Sequence, residues 1–151
     1  MKFIKTIKAF FILSILLVCF YADSIAFRVS KIILITELGQ FEFYVEVAET
    51  PEQLGYGLSG KDSIRADSGM LFLFPQSMTA SMWMKNIPFN IDMLFINRQG
   101  TITEVYESVI ANSQSVIQSQ TAVRAVLELS ETTINNIGLK PGDKIINEFF
   151  N

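Results

Sequence analysis

The strongest constraint on the fold of this sequence is a succession of short β-type stretches without any long helical pattern. FEFYVEVA, residues 41–48, alternates apolar and polar side chains, which is typical of a strand with one buried face. GMLFLFP, residues 69–75, is a continuous apolar run that is short enough to be a buried strand. About seven strands of this kind must hide one another's edges. We therefore expect a mainly β fold, a compact, mostly antiparallel barrel or two-sheet sandwich with two short helices.

Similar patterns predict the other strands and their turns. Further strands are expected over residues 29–36, 81–85, 92–97, 101–107, 122–129 and 144–150. Hairpin turns are expected at Gly39 and at residues 97–100. Residues 108–121 are polar and poorly periodic, so they predict a long loop that contains one short strand.

Two segments carry the start and stop signals of short helices. Thr50, Pro51 and Gln53 match a capping box with proline at the first helical position. The segment SETTINNIG predicts a second helix, with Ser130 as its N-cap and Gly138 at its end.

The first 26 residues have the pattern of a secretory signal peptide. Three lysines precede an apolar run at residues 9–22, which is 14 residues long and interrupted by one serine. A run of this length is shorter than the roughly 20 residues that cross a bilayer. Ser24 and Ala26 supply small side chains for cleavage before Phe27. We therefore expect a periplasmic or secreted protein whose membrane contact is limited to this segment; the alternative is an uncleaved anchor formed by residues 9–22.

Composition limits the chemistry of the remaining chain, residues 27–151, which we expect to form a single β-rich domain. Cys19 is the one cysteine and lies in the signal segment, and histidine is absent, so cysteine nucleophiles, imidazole bases and thiolate or imidazole metal sites are excluded from the domain. Residues 1–26 hold three lysines and one aspartate, so their removal changes the formal net charge from −3 to −5. Nucleic acid is therefore not an expected partner.

Three ordered motifs give the chain a resemblance to a known family. GMLFLFP, MWMKNIPFNIDMLFI and VLEL followed by GLKPGDKI resemble the uncharacterised family called domain of unknown function 192. The likeness extends from about Phe43 to Ile146 and implies a small, often exported, single-domain β protein. It implies no activity, because none is established for the family.

The resemblance has departures at three places. Ile87 stands where the family pattern favours threonine, and Ser59 and Lys61 replace methionine and arginine after the first helix. Residues 118–121 lack a Pro-Cys pair that is often found there. A ligand that the family contacted through these positions would meet different side chains in this chain.

Polar side chains interrupt the apolar stretch SMWMKNIPFNIDMLFI, residues 81–96. If the strands on either side of its central loop pair with each other, Lys85 and Asp92 flank the loop as an ion pair and Asn86 bonds the loop backbone. One interpretation is structural, since such a pair fixes strand register. The other is a rim site at which Trp83 forms an aromatic wall while Lys85 and Asn86 bind an anionic or polyol ligand.

Two polar residues of the strand at 122–129 complete the candidate site. Arg124 and Glu128 are expected on its polar face, where solvent exposure is the ordinary outcome. The alternative is a hydrolase in which Glu128 works beside Asp92, which requires two carboxylates held about 5 to 9.5 Å apart.

The methionines suggest one further alternative. Met78, Met82 and Met84 lie close to Trp83 in the sequence, and thioether ligands select copper(I). Methionine also fills irregular cores, which is its more frequent use. We therefore expect no cofactor and an accessory or binding module, without catalytic residues, whose partner is a small molecule or a protein.

Overall fold

The structure is a computed structural model that describes residues 25–150. The predicted signal segment lies outside the described residues apart from Ile25 and Ala26, and so does the predicted anchor at residues 9–22. Within the described range, neither helix has the length and apolar character needed to cross a membrane.

Residues 25–150 form nine strands and two short helices. The strands are β1 (Arg28–Thr36), β2 (Gly39–Ala48), β3 (Ser68–Met78), β4 (Ser81–Met82), β5 (Ile91–Ile96), β6 (Ile102–Val109), β7 (Ile117–Gln118), β8 (Val123–Ser130) and β9 (Lys144–Ile146), and the helices are α1 (Pro51–Tyr56) and α2 (Thr133–Ile137). The predicted strand at residues 144–150 is therefore shorter than expected.

Seven strands form one sheet in the order β6–β5–β8–β3–β2–β1–β9, and β4 pairs with β7 in a small second sheet. β2 and β3 are parallel, with α1 in the connection between them, and the other pairs are antiparallel. The large sheet curls into a half-barrel, since a bridge between Thr101 and Lys144 links the start of β6 to the opposite edge strand. The predicted mainly β, mostly antiparallel fold is confirmed.

Local sequence signals explain the turns and the first helix. The β1–β2 hairpin turns at Gly39, which pairs with Thr36 and has a φ of 139°, a region that favours glycine. The capping box of α1 is formed as predicted. The backbone N–H of Gln53 donates to the Thr50 hydroxyl, and the backbone N–H of Thr50 donates to the side-chain oxygen of Gln53.

The start of the second helix differs from the prediction. Thr132, not Ser130, is the N-cap, and it has left-handed backbone angles with no hydrogen bond from its side chain to the helix. The predicted end at Gly138 is confirmed, since Gly138 is the left-handed C-cap. A carboxylate from another strand takes the place of the missing cap, as described below.

The inner face of the sheet is buried along all seven strands, and the outer face is buried at the central strands. The inner face carries alternate residues of all seven strands in one cluster with α2, including Ile32, Phe43, Leu71, Leu94, Ile102, Leu127 and Ile145. The outer face of the central strands β3, β5 and β8 is covered instead by connecting segments, with Leu58, Met84 and Ile87 packed against Met70 and Met93. A connecting segment that covers a sheet can leave a pocket between itself and the strands.

The stretch 81–96 departs most from its prediction. Of residues 81–85, only Ser81 and Met82 form a strand, and this strand, β4, pairs with β7, whereas β5 pairs with β6 and β8. The chain turns after Met84, because the Ile87 N–H donates to the Met84 carbonyl at 3.1 Å, and Asn86 adopts a φ of 63°. The predicted pairing of residues 81–85 with β5 is therefore wrong, and Trp83 and Lys85 lie on a turn rather than on one face of a strand.

Candidate binding pocket on the outer face of the sheet

A pocket of about 160 Å³ lies between the outer face of the sheet and the segments that cover it. Its apolar and aromatic walls are formed by Leu54, Tyr56, Leu58, Phe72, Met82, Trp83 and Ile87. Its polar side chains are Ser59, Ser81, Lys85 and Glu128. We call this the Glu128 pocket. Mostly apolar walls with a few convergent polar groups are typical of small-molecule sites.

Glu128 is the most deeply buried polar group of the pocket, with 4% of its surface exposed. It lies at the centre of the sheet on β8, directly opposite Met93 of β5 and Met70 of β3, and both methionines are fully buried. The carboxyl has no hydrogen-bond partner among residues 25–150. Burial between thioether side chains raises its pKa to about 8, so the carboxyl is mainly protonated at neutral pH.

The turn at Trp83–Asn86 forms the outer edge of the pocket. Met84 is buried and anchors the turn, and its N–H donates to the Ser113 carbonyl. The anchored turn presents Trp83, whose surface is 63% exposed, and the exposed Lys85 to the pocket. Asn86 occupies the left-handed position, which asparagine tolerates, and its side chain does not line the pocket. The structure therefore brings together Trp83, Lys85 and Glu128 of the predicted site.

Asp92 does not belong to this pocket, and the predicted Lys85–Asp92 ion pair is not formed. Asp92 is fully buried, with no access to solvent. Its Oδ1 accepts from the Ser108 N–H at 2.9 Å and its Oδ2 accepts from the Ile134 N–H at 2.8 Å. The carboxylate thus fixes a bulge in β6, where Ser108 has a φ of 48°, and caps the start of α2.

The predicted pairing of Asp92 with Glu128 is also not formed. Asp92 lies opposite Leu129 in the β5–β8 register, and Glu128 lies opposite Met93. Since successive side chains of a strand point to opposite faces, the two carboxylates lie on opposite sides of the sheet. The paired-carboxylate hydrolase hypothesis therefore loses the pair on which it was built. Glu128 is also not on a solvent-exposed face, as the strand pattern had suggested.

Arg124 lies apart from the Glu128 pocket, in a different cavity with Arg98 and Phe149. The three methionines of the copper(I) hypothesis are distributed over different environments. Met82 lines the Glu128 pocket, Met84 is buried in the outer cluster, and Met78 is 45% exposed at the end of β3. Among residues 25–150, no group of three acidic or cysteine side chains has the arrangement of a metal site. The copper(I) hypothesis remains a prediction.

Several pocket residues were not predicted. Tyr56 and Ser59 lie at and after the end of α1, and Ser81 belongs to β4. Gly57 lets the segment after α1 approach the Phe72 ring closely, because a Cβ at its position would lie 3.1 Å from that ring. Its φ of 52° also favours glycine. The GYG sequence after the capping box was the available signal. Ser59 and Ile87, two of the departures from the family pattern, also line the pocket, whereas Lys61 and residues 118–121 do not.

Comparisons with known proteins identify relatives without identifying a ligand. The family model DUF192, described as "Uncharacterized ACR", matches residues 33–146. A crystal structure from Sinorhizobium meliloti 1021, of a protein described as a "putative transcription regulator", has 35% sequence identity and a TM-score of 0.79, covering 82% of this chain and 96% of that one. A protein of unknown function from Novosphingobium aromaticivorans DSM 12444 has 22% identity and a TM-score of 0.77, covering 83% and 94% respectively. No protein with a curated function matches the chain.

Proposed function

Since the chain belongs to the DUF192 family, and that family supplies no activity to transfer, we propose a function from the pocket itself: an exported, non-catalytic module that binds a small organic molecule in the Glu128 pocket. The observation that carries the proposal is the carboxyl of a largely buried residue, without a hydrogen-bond partner among the described residues, at the base of a pocket with an exposed tryptophan and lysine at its edge. A buried polar group without a partner is costly, and binding sites are where proteins retain such groups.

The polar groups of the pocket define the ligand class. A protonated Glu128 carboxyl can both donate and accept a hydrogen bond, so it suits a hydroxyl, amide or acid group. Lys85 forms no ion pair with another described residue, which leaves its ammonium group available to an acidic group. The walls between them are apolar and aromatic. The ligand is therefore a short molecule with an apolar body, a hydrogen-bonding group at one end and an acidic group at the other.

Trp83 supports a direct binding assay because it is the only tryptophan of the chain. We would titrate the protein, recovered from cells that express the full chain, with ω-hydroxyalkanoic acids of increasing length while recording tryptophan fluorescence. Matched alkanoic acids lack the group for Glu128, and matched diols lack the group for Lys85. One hydroxy acid should bind about tenfold more tightly than either matched compound, as expected for loss of one buried hydrogen bond or charge-assisted contact.

Two variants locate the binding. Glu128→Met keeps a similar side-chain length but removes the hydrogen-bonding group, so it should reduce the preference for the hydroxy acid over the alkanoic acid. Glu52→Gln, on the exposed first turn of α1, is the matched control and should leave binding unchanged. Equal affinities for all three compound types, or an unchanged preference for the hydroxy acid in the Glu128→Met variant, would refute the proposed site.

Export is the second part of the proposal, and the signal pattern of residues 1–26 supports it. The test is mass spectrometry of the protein from the periplasm and the medium of expressing cells. The expected product begins at Phe27. A product that keeps residues 1–26 and fractionates with membranes would instead support the anchor, and one found intact in the cytoplasm would contradict export.

A further inference from the structure

A larger cavity of about 460 Å³ lies away from the Glu128 pocket and shares none of its lining residues. It is lined by Pro75, Gln76, Ser77, Arg98, Arg124 and Phe149. We call it the arginine cavity. Its size falls within the range of roughly 300 to 1,000 Å³ that is typical of small-molecule sites.

Arg124 has an unusual hydrogen-bonding state in this cavity. Its Nη1 is buried and has no hydrogen-bond partner, and it is the one such side-chain atom in the part of the chain that the structure describes. A guanidinium carries five N–H donors and remains charged, and buried donors are almost always paired in folded proteins. The Arg124 guanidinium therefore keeps donor capacity that no described residue uses.

Arg98 brings a second positive charge to the same cavity from a well-defined turn. The Asn97 side chain accepts from the Gln99 and Thr101 N–H groups, each at 3.0 Å, which fixes the turn that carries Arg98. Neither Arg98 nor Arg124 forms an ion pair with any of residues 25–150. No carboxylate of residues 25–150 lines the cavity. Two guanidinium groups therefore face one cavity without a counter-charge from the described residues.

The nearest acidic group in sequence to the cavity wall is already in use. Glu148 precedes Phe149, and its Oε1 accepts from Arg28 Nη1 at 3.2 Å. The Arg28 guanidinium also lies over the Phe149 ring, at 4.5 Å from its centre, and this contact holds the ring in place. The cavity thus combines unpaired guanidinium groups with a fixed aromatic side chain and the apolar Pro75.

We propose that the arginine cavity is a second binding site, independent of the Glu128 pocket, for an oxyanion attached to a small apolar or aromatic group. Guanidinium groups match the geometry of phosphate and carboxylate oxygens and bind them through paired N–H donors. Gln76 and Ser77 offer further hydrogen bonds, and Phe149 with Pro75 contacts the apolar part of the ligand. Phosphate esters and carboxylates share this chemistry.

The test is isothermal titration calorimetry at low salt with phenyl phosphate, phenylacetate and inorganic phosphate. At least one aromatic compound should bind more tightly than inorganic phosphate and should weaken as salt rises. Arg98→Gln and Arg124→Gln should each reduce its affinity by about tenfold or more, as expected for loss of a charge-assisted contact. A preference for phenyl phosphate assigns a phosphate ester as the ligand class, and a preference for phenylacetate assigns a carboxylate; either supports the site.

Two controls separate binding from folding and from total charge. Arg65→Gln removes an exposed guanidinium that pairs with Asp67 outside this cavity, and it should leave the affinity unchanged. Arg98 is exposed on its turn, so Arg98→Gln should keep the melting temperature of the parent protein even where Arg124→Gln does not fold. Absence of binding heat at low salt, or equal affinity in Arg98→Gln and the parent, would overturn the proposal. Glu128→Met, which should impair the Glu128 pocket, should not change this affinity, and this outcome separates the second site from the proposed function.

Discussion

Two buried carboxyl groups on adjacent, directly paired strands have opposite environments. Asp92 of β5 is fully buried and receives two backbone hydrogen bonds, from Ser108 and Ile134. Glu128 of β8 is 4% exposed, lies on the other face of the sheet and has no hydrogen-bond partner among the described residues. The first group is enclosed by the fold, and the second lies at the base of a pocket.

The difference shows how a structural carboxylate can be distinguished from a candidate functional one. Asp92 compensates for its desolvation by ordering a bulge and a helix start, so its burial stabilises the fold. Glu128 has no such compensation, and its raised pKa reflects the cost of holding it in an apolar environment. A buried polar side chain that lowers the stability of the fold is a candidate for ligand binding.

The largest expected effect is a pH dependence of stability caused by Glu128. Its pKa is about 8 in the folded protein and 4.5 in the reference state, so the folded protein binds more protons between these pH values. Stability should therefore fall as pH rises from about 4.5 to 8 and level off above it, by about 5 kcal/mol in total. Urea denaturation at a series of pH values measures this, as the difference between the parent protein and Glu128→Gln.

The comparison with Glu128→Gln is necessary because other carboxyl groups make the protein more stable, not less stable, as pH rises. Hydrogen bonds from Arg28 and Ser68 lower the pKa values of Glu49 and Asp67, so their contributions are lost only as pH falls below the ordinary range of carboxyl groups. Their effect is common to both proteins and cancels in the difference. Parallel stability curves for the two proteins between pH 4.5 and 8 would show that Glu128 is not held in its protonated form.

The next effect in size concerns Asp92. Asp92→Ala leaves the Ser108 N–H and the buried Ile134 N–H without their acceptor and should lower the free energy of unfolding by about 3 kcal/mol. Asp62→Ala, in an exposed loop, is the matched control and should change it by less than about 0.5 kcal/mol. Chemical denaturation measures both. A small loss in Asp92→Ala would mean that its two hydrogen bonds contribute little and that the contrast with Glu128 is wrong.

Replacement of Glu128 by an apolar side chain should raise the free energy of unfolding, whereas Asp92→Ala should lower it. Glu128→Met places a third thioether between Met70 and Met93, which are its fully buried cross-strand partners. Because it removes an uncompensated carboxyl, it should raise the free energy of unfolding at pH 7 by about 2 kcal/mol. The same variant should lose binding of the hydroxy acid in the Trp83 fluorescence assay. Destabilisation by this substitution would indicate that Glu128 has a structural partner after all.

The sequence predicted the strands of the large sheet and the first helix because their signals are local. The alternation in β2, the apolar run in β3 and the capping box of α1 each lie within about ten residues. The N-cap of α2 was mispredicted at Ser130 because the acceptor for its second residue comes from Asp92, which is 42 residues earlier. A local pattern cannot contain that contact.

The candidate site was only partly predictable for a related reason. Period-two alternation correctly placed Glu128 on the face of β8 opposite Leu127 and Leu129, but that face was expected to meet solvent. It is covered by residues 57–64 and 80–90, which reach it from distant parts of the chain. Trp83 and Lys85 were identified as candidates on a strand, although they reach the pocket from a turn anchored by Met84. Alternation predicts which residues share a face, and the covering segments decide whether that face is buried.

The smallest expected effect on stability comes from Lys85, which is exposed and unpaired with the described residues. Lys85→Gln should change the free energy of unfolding by less than about 0.5 kcal/mol, as is usual for a surface charge. It should weaken binding of the hydroxy acid by about tenfold and leave binding of the matched diol unchanged, because only the acid uses the ammonium group. Lys31→Gln removes the same charge at an exposed site on β1 and is the matched control, which should leave binding of the acid unchanged. Equal weakening of acid and diol would show that Lys85 shapes the turn, and the acidic end of the ligand would then have no receptor in the pocket.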